Sequence, residues 1–314
     1  MAVSFPFLRR LAANSDDLGL GTRDGPSRGV NKDGSFNLRR TGIPWFRPYE
    51  LYHQLITMSA PRFTLMLLAG NIVANLVFAG IYLAVGMEHF DRTGGPALLE
   101  RFLDAFFFST QTLTTVGNGH IHPVSPLASA VAALESLLGL MGFALACGLL
   151  YGRFSRPHAR IKFSARAVVA PYRDMTAFMF RIVNERSNQL IEVEAHVTLS
   201  LRHPETGIHL FSTLPLERTR INLFPSNWTI VHPIGPDSPL AGMSAEDLRE
   251  ADAEFIVLIK AFDDTFAQNV YARSSYKSEE VAWGMRFAPM VTPRDESGMA
   301  TVDLTLLDVL EPPA

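Results

Sequence analysis

The sequence predicts a two-part protein: a membrane α part, with two transmembrane helices flanking a short re-entrant helix and loop, joined to an all-β sandwich. Three observations carry this. Phe63–Val85 and Leu127–Gly152 are apolar stretches, each with about the ~20 residues that a helix needs to cross a bilayer. Between them lies Thr112-Leu-Thr-Thr-Val-Gly-Asn-Gly119, directly after the aromatic-rich stretch Phe102–Thr112. From about Lys162 onward the apolar residues recur with period two, the mark of half-buried strands.

Composition agrees with this division. A chain of 314 residues has room for two domains. A mean hydropathy of +0.13 and 47% hydrophobic residues suit a membrane part joined to a soluble part. The net charge of −3 argues against nucleic acid as a partner, which would call for a basic excess. The single cysteine, Cys147, excludes an intramolecular disulfide. In the opening MAVSFPFLRRLAANS the arginines follow the short apolar patch, so it is not read as a signal peptide. The expected organisation is a flexible N-terminal segment over 1–43, a pore-forming part over 44–157 and a β-sandwich over 158–314. Within the first segment, Gly34-Ser-Phe-Asn-Leu38 is a candidate strand added to a neighbouring domain.

The first expected element is an amphipathic helix in the membrane interface. It runs through Trp45, Tyr49, Tyr52, Leu55 and Ile56. The first span carries Asn71 and Asn75, one turn apart on one face and suited to interhelical hydrogen bonds. The second carries Glu135, expected behind the loop rather than in any central path. Arg39, Arg40, Arg47 and Arg62 precede the first span, and Arg153, Arg156, Arg160, Lys162 and Arg166 follow the second. By the positive-inside rule both termini are cytoplasmic.

Between the spans, Pro96–Thr112 reads as a short helix whose C-terminal end carries the negative dipole pole, which favours a cation. The loop after it suits a filter in which backbone carbonyls replace the water around a dehydrated ion. Gly117 and Gly119 can turn carbonyls toward an axis, Thr115 adds a hydroxyl, Val116 can pack behind the ribbon, and Asn118 completes the run. Irregular backbone at membrane depth must be enclosed by protein or a wet cavity, and one copy cannot enclose it. The chain is therefore expected to oligomerise. In the second helix Leu140, Phe143, Cys147 and Tyr151 form one stripe, read with the loop ahead of it as pore lining.

In the C-terminal half, Ile191–Leu199 alternates as a half-buried strand should. Further strands are expected over Thr176–Val183, Trp228–His232, Glu254–Phe262, Gln268–Ser275, Val281–Phe287 and Thr301–Leu306, with a short helix over Ser244–Ala251. Short strands separated by turn residues point to a β-sandwich. No nucleophile elbow, phosphate loop or zinc-spaced Cys/His set is present, so no enzymatic activity is expected. His120 and His122 have no third ligand candidate nearby and are read as a solvated mouth.

Over about residues 34–311 the chain resembles the prokaryotic inward-rectifier potassium channels, the KirBac family. The resemblance rests on Asp33-Gly-Ser-Phe-Asn37, Asp104-Ala-Phe-Phe-Phe-Ser109, the loop above, Leu134-Glu135 with Gly139 and Gly142, and Arg153-Phe-Ser-Arg-Pro157. In the β half it rests on Glu192-Val-Glu-Ala-His-Val197, Asp237-Ser-Pro-Leu240, Ala272-Arg-Ser-Ser-Tyr276 and Trp283-Gly-Met-Arg-Phe287. It implies a homotetramer in a bacterial inner membrane, with one pore continued through four immunoglobulin-like sandwiches. No cofactor is implied beyond potassium ions at the carbonyls of Thr115, Val116, Gly117 and Asn118. The aromatic constriction of the family falls on Tyr151, its acidic vestibule ring on Glu280, and its contacts with anionic lipid on Arg153 and Arg156, with Arg47, Arg160 and Lys162 nearby. Internal magnesium and polyamines are implied as blockers.

Three departures from the family pattern matter. Asn118 stands where the family has Tyr, and His120 where Asp is common. Gln111 and Ile121 occupy places where eukaryotic members pair Glu with Arg. Phe143 replaces the acidic cavity residue of strong rectifiers. The competing expectations are a poorly selective monovalent cation channel and a non-conducting, membrane-anchored β-sandwich.

Overall fold

The structure, a computed structural model, describes residues 28–39, 41–42, 50–91, 95, 97–155, 159–186, 188–224, 226–292 and 298–312. Its contacts divide into two compact units, one over residues 43–156 and one combining the N-terminal residues up to 42 with 157–314.

The first unit is helical. Helix α1 (Leu51–Thr57) is the described part of the expected interfacial helix; Trp45 to Tyr49 lie outside the described residues. After it come α2 (Ala60–Val85), the short strand β1 (Phe90–Asp91), α3 (Leu98–Leu113), β2 (His122–Pro123) and α4 (Pro126–Phe154). Helices α2 and α4 each begin with Pro in the first turn, where its missing N–H costs nothing. Both are long and apolar enough to cross a membrane. The expected start of α3 at Pro96 lies outside the described residues, and the helix begins at Leu98. Antiparallel pairing of β1 with β2 ties the two ends of the segment that contains α3 and the loop. Inside, Tyr82, Phe90 and Phe108 meet edge to face at 5.0 to 5.3 Å between ring centres, a favoured aromatic arrangement.

The second unit is a sandwich of two five-stranded sheets. One runs β11 (Gln268–Lys277), β10 (Glu254–Asp263), β6 (Leu190–Arg202), β7 (His209–Thr213), with β8 (Arg220–Phe224) also on β6. The other runs β12 (Val281–Trp283), β4 (Ala167–Tyr172), β5 (Met175–Asn184), β3 (Ile161–Phe163), with β9 (Asn227–Ile234) also on β5. Phe178 of β5 stacks on Phe255 of β10 at 4.1 Å, and both are buried in one core with Phe180, Leu199 and Tyr276. Helix α5 (Ala245–Glu250) is capped by Ser244, whose side chain accepts the Asp247 N–H.

Three expected strands need correction. Thr301–Leu306 is a 3₁₀ turn over Leu304–Asp308, with only Val302 bridging to Val291. The Asp303 carboxylate accepts the Thr305 N–H at 2.9 Å, and such local bonds compete with extended backbone. Val281–Phe287 breaks at Gly284, where φ is +66°: β12 joins β4 in parallel, while β13 (Arg286–Phe287) pairs with β14 (Leu310–Glu311). The expected strand at 34–38 reaches only a bridge from Phe36 to Val30. That hairpin lies against β11 so closely that a Cβ on Gly34 would stand 2.7 Å from the Arg273 carbonyl oxygen.

Candidate ion filter and its supports

The loop after α3 follows from its backbone. Thr115, Gly117 and Gly119 take φ of +60°, +54° and +70°, so left-handed angles recur at every second residue. Alternating hands bring successive N–H groups to one side of a chain. Accordingly the N–H groups of Val116 and Gly117 both donate to the Gln111 carbonyl at the end of α3, at 2.9 and 3.2 Å. No cis peptide occurs among the described residues, and in a trans peptide the carbonyl opposes the N–H. The Thr115 and Val116 carbonyls therefore point away from the helix end. All of Thr115 to Gly119 is exposed in the single chain, Val116 at 63%.

Behind the loop three helices meet at one carboxylate. Glu135 of α4 is fully buried; its Oε1 accepts from the Ser109 hydroxyl of α3 at 2.5 Å, and its Oε2 accepts from the Tyr82 hydroxyl of α2. Ser109 Oγ also lies 3.0 Å from Asn75 Oδ1, while Asn75 Nδ2 donates to Asn71. Asn75 thus bridges helices, and Asn71 supports it from one turn away. Sequence reasoning missed Ser109 and Tyr82 as partners. The available signal was a polar residue within each of three apolar stretches.

The stripe on α4 is open: Leu140, Phe143, Cys147 and Tyr151 are all exposed in the single chain. Arg153 has a local task. Its Nη1 donates to the Leu55 and Met58 carbonyls at 3.0 and 2.7 Å, where α1 ends, and its guanidinium lies 4.7 Å from the Phe63 ring centre. Cations at a helix C-terminus are favoured by its dipole. Arg160 and Lys162 are exposed at and beside β3, and Arg47 and Arg156 lie outside the described residues. His122 Nε2 is 3.8 Å from Asp91.

In the β unit, the Glu280 carboxylate is paired with cations rather than left to solvent alone. Both its oxygens accept from Arg28 at 2.9 and 3.1 Å, Lys277 N–H adds a third bond at 2.9 Å, and Lys32 Nζ lies at 3.3 Å. Burial works to raise the Glu280 pKa. Together, the hydrogen bonds and the two cations outweigh it and hold the group below the usual carboxylate value. Lys32, which also sits 3.7 Å over the Tyr276 ring, is brought down by burial to about 8, against the pull of Glu280. Nearby, the buried Glu254 accepts the N–H groups of Gly29 and Val30 at 2.8 to 3.0 Å. These partners of Glu280 were invisible to motif reading, because Arg28 and Lys32 are about 250 positions away in sequence.

Two helices long and apolar enough to span a membrane, a shorter helix between them whose end turns carbonyls outward, and a separate β-sandwich define a two-span channel subunit by architecture. The ion-channel family matches residues 71–155, and the inward rectifier potassium channel C-terminal domain matches residues 161–311. The chain is 38% identical, over 84% of its length and 89% of the relative, to the inward rectifier potassium channel Kirbac3.1 of Paramagnetospirillum magnetotacticum. It is 30% identical to ATP-sensitive inward rectifier potassium channel 12 of Gallus gallus, over 84% of this chain and 67% of that one. With human inward rectifier potassium channel 4 the identity is 33%, over 60% of this chain and 45% of that one. The chain belongs to the inward rectifier potassium channel family, in its prokaryotic branch; it is a membrane protein and not an enzyme.

Proposed function

We propose that this chain assembles as a homotetramer in a bacterial inner membrane, both termini cytoplasmic, and conducts potassium passively. The ion sites are the carbonyls of Thr115, Val116, Gly117 and Asn118 with the Thr115 hydroxyl, and Gly119 closes the filter. One observation carries this reading: the Val116 and Gly117 N–H groups share the Gln111 acceptor, which turns the adjoining carbonyls away from the helix. Four copies around an axis would then supply the carbonyl rings that replace an ion's water.

Tyr151 forms the inner gate, with Phe143 and Cys147 lining the cavity above it. Tyr151→Ala should raise flux without changing ion preference; unchanged flux would move the gate to Phe143. The basic residues Arg47, Arg153, Arg156, Arg160 and Lys162 meet anionic lipid, at about 1 kcal/mol per charge near the surface. Glu280 faces the cytoplasmic vestibule, where internal magnesium or polyamines gather. With Phe143 uncharged and Glu280 already paired with Arg28 and Lys32, block by these cations should be shallow.

Asn118 favours a second reading, a less selective monovalent cation channel. Asn lacks the aromatic bulk that braces the filter in relatives, so the ring is looser. Reversal potentials in planar bilayers test this: Asn118→Tyr should sharpen potassium over sodium. A parent protein that already excludes sodium as sharply as the variant would sink the idea.

A further inference from the structure

The contact between α3 and α4 repeats at an interval of one turn on both helices. Ser109 of α3 meets Glu135 of α4 at 2.5 Å. One turn further on, Leu113 of α3 lies against Gly139 of α4, so close that a Cβ there would stand 2.1 Å from the Leu113 carbonyl oxygen. The pairs 109 with 135 and 113 with 139 are each four residues apart. Sliding α3 by one turn, about 5.4 Å, would bring Leu113 against Glu135 or Phe143, where a side chain blocks the approach. Only one axial register therefore suits both contacts. The filter hangs directly on this end of α3, through the Gln111 carbonyl that holds the Val116 and Gly117 N–H groups.

We propose that Glu135 is a positioning residue for ion preference: its carboxylate, held by Ser109 and Tyr82, fixes the axial position of α3 and so the spacing of the filter carbonyls. This rests on the reading of residues 115–119 as a filter. Glu135 touches no ion; it acts through α3. Small residues would leave the Gly139 contact alone to set the register, allowing α3 to tilt about it. Gln would largely preserve the bridge, since its amide oxygen accepts from one hydroxyl while its NH₂ donates to the other, and Ser109 then donates to Asn75.

The experiment is uptake of radioactive rubidium into liposomes holding the full-length protein, with potassium or sodium as competitor. The Glu135→Ala channel should still conduct, but lose about tenfold in the ratio of potassium to sodium competition, the scale of one lost buried hydrogen-bond partner. Glu135→Gln should restore most of it. Leu65→Ala, on an exposed face of α2, should leave the ratio unchanged. Should Glu135→Ala fail to assemble, Ser109→Ala attacks the same bridge from the other helix and is expected to lower the ratio in the same direction. Parental preference in whichever of these variants assembles would overturn the inference while leaving the filter reading intact. A parent protein that passes no ion would overturn the filter reading and this inference with it.

Discussion

In the pore unit Glu135 is met by hydroxyls, from Tyr82 and Ser109, whereas in the β unit Glu280 is met by cations, Arg28 and Lys32. The difference lies in the surroundings. Glu135 is fully buried between helices, where a second ion would bring its own large desolvation cost and neutral donors satisfy the oxygens without it. Glu280 is about a quarter exposed, so water shares the cost of each charge and ion pairs become affordable partners. The pore unit should therefore keep its register across salt, while the N-terminal hairpin on β11 should respond to it.

The largest effect that would break this contrast is expected in the pore unit. Gly139→Ala drives a methyl into the Leu113 backbone, and relief needs helix movement rather than a rotamer change. It should exceed the roughly 1–3 kcal/mol usual for overpacking and prevent recovery of assembled oligomer, read by gel filtration in detergent. Recovery with parental thermal stability would mean the helices are not in this register.

In the β unit the heaviest anchor is Glu254, which takes the Gly29 and Val30 N–H groups in a fully buried site. Glu254→Ala should destabilise by roughly 3 kcal/mol through orphaned buried donors and speed hydrogen exchange at those two amides. If those amides exchange at the parental rate, the hairpin is held by something else.

These two sites show how legibility divided between sequence and structure. The spans were readable because each is an unbroken apolar stretch of membrane-crossing length, the pore helix because its apolar residues fall at helical spacing, and β6 and β10 because alternation carries them. Strand β4 was not, since Ala167 to Ala170 are buried on both faces and give no alternation. The turn at Leu304 was lost to a side-chain bond from Asp303 that no pattern announces. For the candidate site, the loop itself was legible, and Glu135 was placed behind it. The Arg28 and Lys32 partners of Glu280 were not, because their meeting depends on tertiary folding of a segment with no period of its own.

Protonation sharpens the contrast at a smaller scale. His232 is fully buried, donating through Nδ1 to the Pro215 carbonyl at 2.6 Å and accepting from the Ser238 hydroxyl at 2.7 Å. Burial pushes its pKa down, against the bond to Pro215. The unfolded chain gains a proton as pH falls through 6.5 and the folded one does not, so stability should be full above that pH and decline below it. Thermal unfolding should show this decline for the parent and a flatter profile for His232→Gln. Equal slopes would assign the acid sensitivity to other groups.

The smallest effect expected is that of the partly exposed ion pairs of Glu280. Arg28→Ala or Lys32→Ala should loosen the hairpin by about 1 kcal/mol or less. The loss should shrink as salt rises, because charges that water reaches are screened, with a Debye length of about 10 Å at 0.1 M. Hydrogen exchange of residues 29–36 at low and high salt measures it; a salt-independent loss would place these cations among buried partners instead.

The central claim, that Thr115 to Gly119 form a potassium-preferring filter in an assembled pore, is tested most directly by rubidium flux into liposomes containing the purified full-length protein. The account predicts uptake above empty vesicles, competed more strongly by potassium than by sodium. Protein that is inserted and oligomeric yet gives no uptake above empty vesicles would contradict it and leave the membrane-anchored sandwich as the better reading.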